Sequence, residues 1–157
     1  MAEIHYPKVP LIPQRRSMSC WYAAACMIGQ YYEVGPRFGV PGVWVADEGL
    51  NINDIDVLAR NENLVVLPLA HHDFSAESLI ATLTHWGPLL CSHNWLGNGH
   101  TVALTGCTTH GSDGESVYFN DPEPMNVGTR GANVSIKTFN EHRLRGLLLA
   151  RDPASIP

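Results

Sequence analysis

The segment around Cys20 has the residue types of a nucleophilic cysteine site. Three prolines within residues 1–13 favour an extended arm that ends at Gln14, and a proline-free, alanine-rich stretch predicts a helix over about residues 19–33. A cysteine in the first turn of a helix lies near unpaired backbone N–H groups and the positive end of the helix dipole, and both favour the thiolate. Cys20 is therefore the candidate nucleophile.

Gln14 is the candidate partner for a developing negative charge. It lies six residues before Cys20, at the end of the extended arm, from where its side-chain amide could reach over the thiol. Together with the backbone N–H of Cys20, it would donate hydrogen bonds to a tetrahedral oxyanion. One donor of this kind is worth about 10²–10³ in turnover.

His100 is the candidate general base among the eight histidines. It begins a β-type run directly after a glycine-rich turn, where its ring can face a cleft while the following residues enter a sheet. Asp121, at the end of a later β-type run, could accept a hydrogen bond from this ring and fix its tautomer. Asn120 is the alternative, because strand alternation turns only one of the two residues toward His100.

The predicted elements divide the chain into helices followed by strands. Further helices are predicted from an Asn53 cap to about residue 61 and from a Ser75 cap to about residue 86. A short apolar run covers residues 64–69, a short strand is predicted at 43–45, and β-type runs follow at 89–93, 101–107, 116–120, 134–136 and 147–150. This order predicts an α+β fold, in which an N-terminal helical half with a central cysteine-bearing helix packs on a C-terminal antiparallel sheet.

Composition limits the classes of protein that are possible. With 157 residues, of which 45 % are hydrophobic and only 16 % charged, the chain is predicted to fold as one domain over residues 1–157. The formal net charge of −5 and the lack of basic clusters argue against a nucleic-acid partner. No apolar run approaches the roughly 20 residues that span a bilayer, and no secretory signal is visible, so we expect a soluble chain.

The order Gln14, Cys20, His100, Asp121 resembles that of the papain-like cysteine peptidases. The sequence Asn-Asp-Pro at residues 120–122 looks like the C39-type peptidases, whereas Pro-Gln at 13–14 and Ser-Cys-Trp-Tyr-Ala at 19–23 look like the AvrRpt2-type bacterial effector proteases. The plant-papain pattern Cys-Gly-Ser-Cys-Trp is replaced by Ser-Met-Ser-Cys-Trp at residues 17–21. This difference favours a bacterial assignment.

The resemblance implies a fold, a reaction and a biological setting. It implies a helical half that carries the cysteine, a β half that carries the histidine, and peptide hydrolysis through a thioester by a Cys-His-Asp mechanism that needs no metal or cofactor. The partner would be a protein substrate, with Trp95 and Trp44 as candidate walls of its groove. The setting would be a bacterial effector or toxin that reaches another cell's cytoplasm without a signal peptide and has a cognate inhibitor or immunity protein.

Three alternative functions remain open from the residues alone. A deamidase, a transglutaminase, a peptidoglycan amidase or a processing peptidase domain would use the same thiolate chemistry, and a non-catalytic module could use its tryptophans to bind a partner. A metal site is disfavoured because no short-spaced Cys-Cys or His-His pair occurs. Cys26, Cys91 and Cys107 are predicted to be reduced core residues. His85 and His93, at the ends of predicted elements, are compatible with a structural or a functional role.

Overall fold

The computed structural model describes residues 2–16, 19–33, 55–68, 71–95, 97, 99–112 and 114–156, which form seven strands and four helices. The strands are β1 (Glu3–His5), β2 (Leu64–Val66), β3 (Leu89–His93), β4 (His100–Gly111), β5 (Gly114–Asp121), β6 (Thr129–Ser135) and β7 (Arg143–Arg151). The helices are α1 (Cys20–Tyr32), α2 (Ile55–Glu62), α3 (Ala76–Trp86) and α4 (Ile136–His142), and a short 3₁₀ helix covers Pro153–Ser155.

All seven strands belong to one antiparallel sheet with the order β2-β7-β3-β4-β5-β6, and β1 pairs with the second half of β4. Glycine at position 106 allows this last pairing. A Cβ atom there would lie 2.6 Å from His5 Nδ1 and 2.7 Å from the Ile4 carbonyl oxygen, closer than side-chain carbons come to other atoms. The N-terminal arm is therefore held against the central strand of the sheet.

Alternate residues of the central strands belong to two hydrophobic clusters, one on each face of the sheet. On β3, Leu89 belongs to the cluster that includes α3, whereas Leu90 belongs to the cluster that includes α1. On β7, Leu148 and Leu149 divide in the same way. Because successive side chains of a strand point to opposite faces, α1 covers one face and α3 the other.

The sequence of α1 explains how it approaches the sheet so closely. Eight of its 13 residues are buried. Three of them are consecutive alanines, whose small side chains allow neighbouring elements to approach the helix backbone. Val9 of the arm is fully buried in the same cluster, so the arm and the helix pack together. The helix ends where the backbone N–H of Glu33 donates to the Gly29 carbonyl. Cys20 is the first residue of α1, at its N-terminal end. The N-terminal arm leads to this end of the helix.

The predicted α+β class is confirmed, and so are the three predicted helices, with small shifts of their ends. Ser75 caps α3 as expected, because its hydroxyl accepts the backbone N–H of Ser78. The predicted antiparallel arrangement of the C-terminal strands is confirmed, since β3–β4 and β4–β5 are antiparallel neighbours. The strand predicted at residues 43–45 lies outside the described residues.

The division into a helical first half and a sheet second half needs correction. Strands β1 and β2 lie in the first half of the chain, and α4 interrupts the strands of the second half. Each of these strands has three residues and pairs with a distant strand, so it leaves little local pattern. The strand predicted at 134–136 ends at Ser135, whose hydroxyl accepts the Thr138 backbone N–H and caps α4. Among the described residues, no helix is long and apolar enough to cross a membrane.

Candidate active site

His100 and Asp121 form a buried ion-pair contact at the end of the sheet. His100 Nε2 lies 2.6 Å from Asp121 Oδ1, and both residues are 8 % exposed. The strand register explains the contact. Because β4 and β5 pair with Ala103 opposite Asn120, Asp121 falls diagonal to His100 on the same face of the sheet. The same Oδ1 atom accepts the backbone N–H of Glu123, which fixes the carboxylate.

Asn120, the alternative partner for His100, turns to the opposite face of the sheet. Its Nδ2 donates to the Val9 carbonyl at 3.2 Å, and its Oδ1 accepts the Gly131 backbone N–H at 3.2 Å. The side chain therefore ties the N-terminal arm and β6 to β5. Of the two neighbouring residues, Asp121 contacts the imidazole and Asn120 holds the arm.

Cys20 lies close enough to the same imidazole to act on its protonation. Burial alone would lower the pKa of His100, but its interactions with Asp121 and Cys20 outweigh burial and raise the pKa to about 10. The structure therefore brings the thiol, the imidazole and the carboxylate into one site.

Neither the N-cap residue nor the first turn of α1 places a capping or acidic side chain at the positive end of this helix. Ser19 occupies the N-cap position, but its hydroxyl makes no capping hydrogen bond and instead donates to the Arg16 carbonyl at 3.0 Å. The first turn of α1 contains no acidic residue. The unpaired backbone N–H groups of this turn and the helix dipole therefore act on Cys20 without a neighbouring acceptor from α1 or its N-cap.

Gln14 is held in place by both its backbone and its side chain. It is 2 % exposed; its backbone N–H donates to the Pro122 carbonyl at 3.0 Å, and its carbonyl accepts the Asn126 N–H at 2.9 Å. Its side-chain Nε2 donates to the Arg16 carbonyl at 3.0 Å. Gln14 thus joins the arm to the loop that directly follows Asp121.

A cavity of about 430 Å³ lies between the arm and α1, beside Gln14 and Ser19. The lining is mostly apolar, from Ile12 and Pro13 of the arm and from Tyr22 and Ala23 at the start of α1. The side chains of Arg15 and Arg16 are exposed at its margin. An apolar cavity beside a candidate nucleophile is a place where a substrate side chain could bind.

Trp95 packs beside the site. Its ring is half-buried and lies parallel to the His93 ring, with centroids 3.4 Å apart and an angle of 2° between the planes. It also packs on Phe119 with a centroid distance of 5.2 Å. Its role in substrate binding stays a prediction. Trp44, the other tryptophan proposed for the groove, lies outside the described residues.

His93 is the residue near the site whose role the sequence left open. It is fully buried, it is the direct cross-strand partner of His100, and the two rings meet edge to face with centroids 5.4 Å apart. The sequence did not predict this contact. Counted outward from a turn at residues 97–99, His100 would pair with residue 96, whereas the observed register pairs it with His93.

A helix-borne thiol, an imidazole and a carboxylate that contacts the imidazole are the groups of a cysteine hydrolase. A family model described as papain-like cysteine protease AvrRpt2 matches residues 4–143. The chain therefore belongs to this family and is a papain-like cysteine protease, which acts on protein. The resemblance to AvrRpt2-type proteases is confirmed, whereas the resemblance to the C39 type is not. Among the described residues, no group of three His, Cys, Asp or Glu side chains is arranged to hold a metal ion.

Proposed function

We propose that this protease is an endopeptidase that uses Cys20 as nucleophile, His100 as general acid and base, and Asp121 as the residue that orients His100. The observation that supports it most is the 2.6 Å contact between His100 Nε2 and Asp121 Oδ1, on an imidazole whose protonation Cys20 also influences. The raised pKa of His100, about 10, keeps the ring protonated at neutral pH beside the sulfur. A thiolate paired with an imidazolium is the activated form of such a nucleophile.

The reaction proceeds in two halves. In acylation, the Cys20 sulfur attacks the carbonyl carbon of the scissile bond, and the proton on His100 passes to the leaving amine as the C–N bond breaks. A thioester and a free amine result. In deacylation, His100 takes a proton from water, the hydroxide attacks the thioester carbon, and the C–S bond breaks. The products are a carboxylic acid and the restored thiolate–imidazolium pair.

The negative charge of each tetrahedral intermediate falls on the former carbonyl oxygen. We assign its stabilisation to the side-chain amide of Gln14 and the backbone N–H of Cys20. Two features support Gln14: it is buried in the wall of the cavity beside α1, and its backbone is clamped to the loop after Asp121. This clamp links the position of the oxyanion donor to that of the carboxylate.

The proposed setting is a bacterial effector or toxin that acts in the cytoplasm of another cell. Residues 1–157 would supply one papain-like domain with the cysteine helix packed against the sheet. A cognate inhibitor in the producer would restrain the enzyme before delivery. Such a protein would have to cover the cleft around Cys20.

The test is a survey of new protein N-termini in target-cell lysates treated with the purified protein. We expect new N-termini with the wild type and none with Cys20→Ala. Cys26→Ala is the matched control, because Cys26 lies buried on the same helix, and we expect it to leave cleavage intact. Ammonia release without chain cleavage would indicate a deamidase, and identical N-termini from wild type and Cys20→Ala would exclude the protease mechanism.

A further inference from the structure

We propose that His93 is a positioning residue, whose flat ring, stacked on Trp95, holds the His100 imidazole in the plane that serves both Cys20 and Asp121. This inference deepens the proposed function, since it assigns a role to a buried histidine that the two half-reactions do not use. It rests on the geometry of three rings: His93 and His100 on the neighbouring strands β3 and β4, and Trp95 just after β3.

The rings of His93, Trp95 and His100 pack together beside the candidate active site. His93 is 0 % exposed and lies parallel to the half-buried Trp95 at 3.4 Å, the spacing of rings in direct contact. The His93 and His100 planes are 85° apart, an edge-to-face packing. Phe119 closes the unit, with its ring 5.2 Å from Trp95 and 6.4 Å from His93.

The hydrogen bonds of His93 define its tautomer. Its Nδ1 accepts the backbone N–H of Trp95 at 3.3 Å, so Nδ1 carries the lone pair and Nε2 carries the proton of the neutral ring. Nε2 is buried without a hydrogen-bond partner among the described residues. A buried N–H without an acceptor costs free energy. A histidine in this place is thus not explained by hydrogen bonding alone.

His93 stays neutral while His100 is charged. Burial and the positive charge of His100 lower the pKa of His93 to about 3, and Asp121 opposes this shift only in part. The groups that face His93 are His100 from β4 and Asp121 from β5. Arg143 is its register partner on β7, but its guanidinium lies over the rings of Phe74 and Phe139. The two adjacent imidazoles therefore hold different charge states across the neutral range.

The proposed mechanism requires that the imidazole ring of His100 keeps one orientation. The ring contacts Asp121 through Nε2 and interacts with Cys20, and rotation about its outer side-chain torsion would disturb both interactions together. The His93 ring occupies space beside the imidazole that such a rotation would sweep. A planar side chain at position 93 therefore favours the orientation in which Asp121 and Cys20 keep His100 protonated.

The test compares two variants that fill the same space. His93→Phe keeps a flat ring, whereas His93→Leu keeps bulk without planarity. We expect NMR titration to give a His100 pKa within about 0.3 unit of wild type in His93→Phe and lower by about one unit or more in His93→Leu. The NMR signal of the His100 ring is identified by its absence from the spectrum of His100→Asn. This readout does not depend on proteolysis, so failure of the proposed function and failure of this inference are distinguishable.

Kinetics with a cleaved peptide give the second readout. We expect His93→Leu to lower kcat by about 10- to 100-fold with little change in KM, because misplacement of a catalytic group by an ångström costs up to about 10²-fold, and His93→Phe to restore most of it. Unchanged titration and kcat in both variants, or equal losses in both, would overturn the inference. If the position 93 variants do not fold, Trp95→Phe and Trp95→Leu make the same comparison on the stacked partner.

Discussion

The Asp121 carboxylate lies 2.6 Å from His100 Nε2, while the side chain of its neighbour Asn120 points to the other face of β5 and holds the N-terminal arm. One strand thus supplies two adjacent polar residues with separate tasks. The alternation of the strand separates a residue that acts on the imidazole from one that ties the structure together.

Substitution of Asp121 is expected to act on the charge state of His100. Asp121→Asn keeps a hydrogen-bond acceptor but removes the charge, so the His100 pKa should fall and the activity should drop about tenfold. Asp121→Ala removes both and should lower kcat/KM by about 10²–10³. Peptide cleavage as a function of pH measures both effects, and the alkaline limit should move to lower pH in each variant.

Asn120→Ala is the matched control for Asp121. It removes hydrogen bonds to Val9 and Gly131, so it should lower the free energy of unfolding by about 1–3 kcal/mol. The His100 pKa should not change. A fall in the His100 pKa in this variant, or none in Asp121→Asn, would contradict the separation of tasks.

Gln14→Ala is expected to lower kcat by about 10²–10³ with a small change in KM, because the lost donor would act on the oxyanion and not on the bound substrate. The backbone clamps to Pro122 and Asn126 do not depend on the side chain and should keep the arm in place. Gln30→Ala, on the partly buried far end of α1, is the control with wild-type kcat. Equal kcat values for the two variants would remove Gln14 from the mechanism.

The four thiols should differ in reactivity. Cys20 is the half-exposed one, and the other three are buried. Burial raises the pKa of Cys91 and of Cys107 to about 12 each. Iodoacetamide near pH 6 should therefore alkylate Cys20 alone, as mass spectrometry of peptides would show, and His100→Asn should slow this reaction strongly. Similar rates at all four thiols would argue against an activated cysteine.

The order of the candidate site residues could be predicted from the sequence because each leaves a local signal. Cys20 opens a proline-free apolar helix, and His100 follows a glycine-rich turn. The choice between Asp121 and Asn120 could not be made, because it depends on the phase of β5 relative to β4. A shift by one residue exchanges the faces of the two side chains, and only the folded register fixes that phase.

The role of His93 and the path of the arm depend on long-range contacts. Glu3–His5 becomes a strand only because Gly106 leaves room for it, and the two segments are about 100 residues apart. In the sequence, His93 is only the polar residue at the end of a predicted strand. Its stacking on Trp95 depends on how the chain turns at residue 94. Sequence patterns describe the segments, whereas packing decides which of them meet.

The two neighbouring histidines should give the free energy of unfolding an optimum near pH 6.5. An unfolded histidine has a pKa of 6.5, while the folded values are about 10 for His100 and about 3 for His93. Above 6.5 the native state holds a proton on His100 that the unfolded chain lacks, so this contribution to stability is lost as the pH rises toward 10. Below pH 6.5, His93 binds a proton in the unfolded chain but not in the native state, so the free energy of unfolding falls as the pH drops toward 3.

Urea unfolding at a series of pH values measures these two limbs, and one substitution should flatten each. His93→Phe removes the acid-side titration and should reduce the slope below pH 6.5, whereas His100→Asn should reduce the slope above it. His93→Phe should leave the alkaline limb in place. His100→Asn also removes the positive charge that helps to lower the pKa of His93, so it should make the acid limb shallower without abolishing it, because burial is the larger cause of that shift. Unchanged slopes in both variants would mean that other groups set the pH dependence, and that His93 and His100 do not hold opposite charge states near neutral pH.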